Sequence, residues 1–395
     1  MSQTKQNYFL SQPHQPFFIL GIVNAIVMMI IFGFGYKGVF NLVTSNLLFH
    51  VYSIVFLVFL NVFVGFLFTT FARFSQSAIT ITPNYYSNIF YANTLASISF
   101  LGGAFFSPII LVFGMCISFI SQIFIVLKLH NIYKNGMAHD KSDSFWILVA
   151  NYFGLVGNLL FILTQLSSET LLTPAINLSF YLFLIFLAFG VAQRMVPFFS
   201  HSFAQKNENF VKFIFVLFVF KTISSSFDFK LGEIIIDLLL SSYMFIEFRR
   251  WELKPFESPA ILWVLHLALF WLPLAFLLSA ISLSLELLLD TSFYFFNIHL
   301  LALGFLTTIL IGFGTRVTLG HSGQSPHADK LATKIFWLTQ IVVLLRALFS
   351  LNVGFNMEFN FLFDISVSAW LILFSIWAVR YGKVLVFGTK LDVKM

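Results

Sequence analysis

The feature that most constrains this chain is a succession of apolar runs with almost no charge inside them. A bilayer core about 30 Å thick is crossed by a helix of about 20 residues. Read on that rule, the chain holds about twelve such runs. They lie near 17–36, 47–70, 88–106, 108–129, 145–166, 171–192, 210–226, 230–247, 258–280, 293–314, 332–352 and 361–381. The fold class this predicts is all-α, a polytopic membrane helix bundle of about twelve transmembrane helices. The loops are short, the longest near 130–144, 193–209 and 315–331. No soluble domain fits between the runs, so one integral-membrane domain is expected over 1–395. No internal repeat is convincing in the sequence.

Composition bears this out. Only 10% of residues are charged and 59% are hydrophobic. A soluble domain carries about 25% charged residues, enough to cover its surface. The net charge of +6 is read as a topology signal and not as a nucleic-acid footprint. With the N-terminus inside, all but Lys37, Lys221, Lys230 and Arg346 of the 22 Lys and Arg fall in cytoplasmic segments. Positive charge marks the cytoplasmic side. Both termini are therefore expected in the cytoplasm, with an even number of crossings of a bacterial inner membrane. No basic segment and small-residue cleavage site precede the first run, so it is expected to stay as a helix. Cys116 is the one cysteine, which excludes an intrachain disulfide and a thiolate cluster.

Ionisable residues inside apolar runs are costly and face the bundle interior. His50 lies near the outer end of the second run and His299 in the outer part of the tenth, at similar depth. His266 lies about a third of the way into the ninth run from the inner side. Imidazoles on separate helices can ligate a haem iron or copper. The alternative is a hydrogen bond to a neighbouring helix. No CxxCH motif occurs, so any haem would be non-covalent.

Three other groups stand out. Glu233 and Asp237 share a helix face, and Lys221 can pair with them near the outer ends of the seventh and eighth runs. A structural ion pair and a proton path are both open. On the inner side, Arg194 precedes His201 and Arg316 precedes His321. A guanidinium there matches a haem propionate or anchors a lipid phosphate. His14, in Pro13-His14-Gln15-Pro16-Phe17-Phe18, either folds into an inner-face metal site or is a solvated tail residue. Asn24, Asn61, Asn151, Asn158 and Asn177 fit interhelical hydrogen bonds.

Four segments carry a resemblance to a known family. They are PHQPFF at 13–18, RMVPFFS at 194–200, LWVLHLALFWLPL at 262–274, and HLLALGFLTTILIGFGTRVTLGHSG from His299 to Gly323. In these the chain resembles the NnrS family of haem- and copper-containing membrane proteins, over nearly its whole length. One departure stands out. The family often carries Trp-His-x-His-Glu-Met at the start of the second helix, where this chain reads Phe49-His50-Val51-Tyr52-Ser53-Ile54. Tyr52 and Ser53 take the places of a histidine and a glutamate, which puts copper in doubt. Haem through His50 with His266 or His299 stays open.

The resemblance implies nitric oxide metabolism or nitrosative-stress resistance, often alongside denitrification. Nitric oxide or iron-nitrosyl species are then the expected small-molecule partners. His50, His266, His299 and His321 are the ligand candidates, with Arg194 and Arg316 as propionate contacts. Two further readings remain open: a secondary transporter, and a non-catalytic membrane partner of a respiratory or denitrification complex.

Overall fold

The computed structural model describes residues 8–167, 169–289 and 291–391. Lys5 and Lys394, used in the charge count, lie outside them. The described residues form twelve long helices: α1 His14–Tyr36, α2 Asn46–Phe74, α3 Pro83–Phe106, α4 Pro108–Lys134, α5 Ser142–Leu166, α6 Glu169–Phe199, α7 Phe210–Ser226, α8 Lys230–Arg250, α9 Ala260–Leu289, α10 Tyr294–His321, α11 Lys330–Gly354 and α12 Phe361–Phe387. Each predicted run has become one helix.

Ten of the twelve are long and apolar enough to cross a membrane, which makes this a multi-pass membrane protein. The other two, α7 and α8, do not meet that measure. Helix α7 has 17 residues. Helix α8 carries Lys230, Glu233, Asp237, Glu247, Arg249 and Arg250. The expected count of twelve crossings therefore rests, for these two, on charge alternation alone.

The sequence places two functional segments in loops that the structure makes helical. Residues 193–199 form the end of α6, and 315–321 the end of α10. A helix does not stop where the apolar run stops, because its next turn still satisfies the backbone. Pro197 sits in the last turn of α6, where its missing N–H removes a single bond.

Small residues set the closest helix approach. A Cβ on Gly114 would stand 2.5 Å from the Phe100 nitrogen, and one on Gly103 would meet the Leu111 backbone. Helices α3 and α4, broken at Ser107–Pro108, thus pack backbone to backbone.

The long helices are unequally buried. In their most apolar windows α2, α6 and α10 are 83, 94 and 72% buried, against 39–61% for the other spans. The same three helices each contain a π-helical stretch: Ser53–Phe59, Leu178–Ile185 and Leu300–Thr307. A recurrence invisible in the sequence follows from this. Taken four at a time, the second helix of each set is long, deeply buried and π-helical. In α6 and α10, Asn177 and His299 immediately precede the π stretch, and Arg194 and Arg316 follow at equal spacing.

The chain divides into two compact units. Of the described residues, one comprises those within 8–184, 317–324 and 374–391; the other comprises those within 185–316 and 325–373. The core of the first is aromatic. Tyr52 packs on Phe100 at 4.9 Å between ring centroids, and Phe56 on Phe183 at 6.1 Å.

Candidate functional site

A π stretch widens one helical turn and loosens the backbone carbonyls inside it, and such segments concentrate at functional sites. Here side chains take up those carbonyls. The Leu57 carbonyl accepts from Asn24 Nδ2 at 2.7 Å and from Asn61 Nδ2 at 2.8 Å. In α10, Thr307 donates to the Ala302 carbonyl at 2.8 Å and Thr308 to the Leu303 carbonyl at 3.0 Å. The membrane-buried asparagines are therefore partly explained as supports of an irregular backbone. Asn93 extends the network, donating to Asn61 Oδ1 at 2.8 Å and accepting from Ser121 at 2.5 Å.

Two candidate ligands sit at the openings of π stretches. His50 is half-buried, and its ring stacks on Phe32 at 4.1 Å. His299 is half-buried, with Nδ1 2.6 Å from the Phe295 carbonyl oxygen. A carbonyl only accepts, so Nδ1 carries the proton and Nε2 is the lone-pair nitrogen. A backbone carbonyl holding the other ring N–H is the usual support of a metal-ligating histidine.

Helix geometry separates the remaining candidates from His299. From His299 to Arg316 the helix advances about 25 Å at about 1.5 Å per residue. The two residues therefore lie toward opposite ends of α10. His266 belongs to the Arg316 level, because its neighbour Leu265 meets Gly312, where a Cβ would stand 2.6 Å from Leu265 Cδ2. His266 is buried, its Nε2 is 2.6 Å from Ser200 Oγ, and the Lys254 backbone also faces the ring. Nothing in the RMVPFFS segment signals that its Ser200 holds His266.

Further predicted residues meet within the first unit. His14 is buried, its Nδ1 makes no hydrogen bond, and its ring lies 4.9 Å from that of His321. Arg73 acts electrostatically on His321. Gly65 makes room for this corner, since a Cβ there would stand 3.2 Å from His14 Cα. The tail reading of His14 is thereby replaced by a packed one. Arg316 lies over the Phe199 ring at 3.9 Å, a cation–π contact. Arg194 is half-buried at the end of α6, and His201 is exposed in the turn beyond it.

Where the family motif is altered, the chain has built a neutral network. Tyr52 is fully buried; its hydroxyl lies 3.1 Å from Asn158 Oδ1, 3.4 Å from the Met115 carbonyl, and in hydrogen-bonding contact with Ser118. Asn158 Nδ2 donates in turn to Gln122 Oε1 at 2.9 Å. Ser53 donates to the His50 carbonyl at 3.0 Å. Among the described residues no group of three or more His, Cys, Asp or Glu is placed to hold a metal ion. Imidazoles such as those of His50 and His299 are of the type that ligates haem iron.

Compared with known proteins, residues 8–387 match the family model described as NnrS protein. No individually curated protein matches the chain.

Proposed function

The chain belongs to the NnrS family, and from that premise we propose that it is a haem-bearing protein of the bacterial inner membrane that handles nitric oxide or its iron adducts. The setting is nitrosative-stress resistance or denitrification, and respiratory or denitrification proteins are the fitting electron-transfer partners. The observation that carries the haem reading is His299, whose Nδ1 is held by the Phe295 carbonyl, the support that a metal-ligating imidazole usually has. His50, before the π stretch of α2, is the corresponding candidate in the other unit. A haem held this way supplies an iron that binds diatomic gases.

The protein's own contribution is to orient and to enclose. Phe295 fixes the His299 ring. Trp271 packs on Gly304 within the π stretch, where a Cβ would stand 2.6 Å from Trp271 Cδ2, and its indole donates to Gln340 Oε1 at 2.8 Å. Arg194 and Arg316, near the ends of α6 and α10, are cations suited to an anionic group such as a lipid phosphate. A transporter built on paired halves gains no support from a backbone that recurs in threes.

The test is the visible spectrum of the purified protein, oxidised, reduced and with nitric oxide added. A Soret band that shifts with nitric oxide is expected. A featureless spectrum after expression with ample haem overturns the haem reading.

A further inference from the structure

Beyond the histidines, one buried cluster has a charge that does not balance. Lys221 Nζ lies 2.8 Å from Glu233 Oε2 and 2.8 Å from Asp237 Oδ2. Lys221 is 1% exposed, Glu233 7% and Asp237 0%. One ammonium thus faces two buried carboxyls. Hydroxyls complete the shell: Ser225 donates to Glu233 Oε2, and Ser279 to Asp237 Oδ2 at 2.6 Å. Every donor to Asp237 falls on Oδ2. Its Oδ1 is buried and makes no hydrogen bond.

Among the described residues, Lys221 is the cation paired with both carboxyls. The helices packed on α8 are α7 and α9. Helix α7 contributes Lys221 and Ser225, and α9 contributes Ser279 and Glu286. The remaining nearby cation, Lys230, is taken by Glu286 at 3.0 Å. An ionised carboxylate oxygen left bare in a closed site is among the costliest arrangements a protein can hold. A neutral acid is far cheaper to leave in that state.

We propose that Asp237 is a buried proton-binding site, holding one proton taken from solvent while Lys221 keeps its contact with Glu233. The step is the formation of one O–H bond on the Asp237 carboxylate. A sodium ion suits the place less well. Hard cations want a cage of several oxygens. Here Glu233 Oε2 and Asp237 Oδ2 are already committed to an ammonium that would repel a metal ion. Asp237 is then a store that exchanges a proton with the predicted outer side, near the ends of α7 and α8. The haem reading is not required for it.

Infrared difference spectroscopy across a pH step tests this on the whole purified protein. A protonated-carboxyl C=O band is expected, shifted by deuterium oxide, shifted by 13C-labelled aspartate and not by labelled glutamate. It is lost in Asp237→Asn and kept in Glu233→Gln. The isotope arm needs no mutation, so a variant that fails to fold does not spoil the test. A missing band, a band that follows labelled glutamate, or one that survives in Asp237→Asn overturns the proposal. So does a band abolished by exchanging potassium for sodium, which would make the site a sodium site.

Discussion

The Nδ1 of His299 lies 2.6 Å from the carbonyl oxygen of Phe295, one turn earlier on the same helix. This contact fixes both the tautomer and the direction of the ring at the opening of a π stretch. His266, by contrast, spends its Nε2 on Ser200. Two histidines that look alike in the sequence are therefore expected to behave differently. His299→Ala should remove most of the haem absorbance, whereas His266→Ala should keep it and lower thermal stability. Full haem occupancy in purified His299→Ala would remove that residue from the ligand set.

The distance along α10 gives a second test. Arg316, about 25 Å from His299 by helical rise, should not influence a haem ligated there. Arg316→Ala should leave the haem spectrum unchanged and weaken packing by about 0.5–1 kcal/mol through the lost contact with Phe199. A shifted Soret band in this variant would mean that Arg316 does reach the haem.

Tyr52 is expected to be structural. In Tyr52→Phe the ring packing on Phe100 stays, while Asn158 loses a buried hydrogen-bond donor. Stability should fall by about 1–3 kcal/mol, read as a lower unfolding temperature in detergent. The haem spectrum should not move. A spectral change without destabilisation would assign Tyr52 to the cofactor pocket.

The α3–α4 contact predicts opposite outcomes for two glycines a short way apart. Gly114→Ala places a methyl 2.5 Å from the Phe100 nitrogen and should cost about 1–3 kcal/mol. Gly102 faces open space, so Gly102→Ala should be neutral or stabilise by up to about 1 kcal/mol through helix propensity. Equal unfolding temperatures for the two variants would show that the close approach carries no strain.

Much of this protein was legible before any fold was known, and for one reason. Lipid offers the backbone no hydrogen bonds, so an apolar run of spanning length has to be a helix. The runs at 210–226 and 361–381 begin where α7 and α12 begin. The ion group of Lys221, Glu233 and Asp237 could be named from helical spacing, because a charge inside an apolar run has few places to go.

What the sequence left undecided is what depends on partners far along the chain. Nothing local to His266 points to Ser200, and nothing local to His14 points to His321; helix packing alone brings them together. The π stretches were hidden because their composition is that of any apolar helix. Only the side chains that reach the Leu57, Ala302 and Leu303 carbonyls betray them. The sequence determined that the chain crosses a membrane as helices, because solvation of the backbone is settled residue by residue. Tertiary structure decided which partner holds each histidine and which carboxyl oxygen is left without a donor, because those follow from which side chains packing brings within hydrogen-bonding distance.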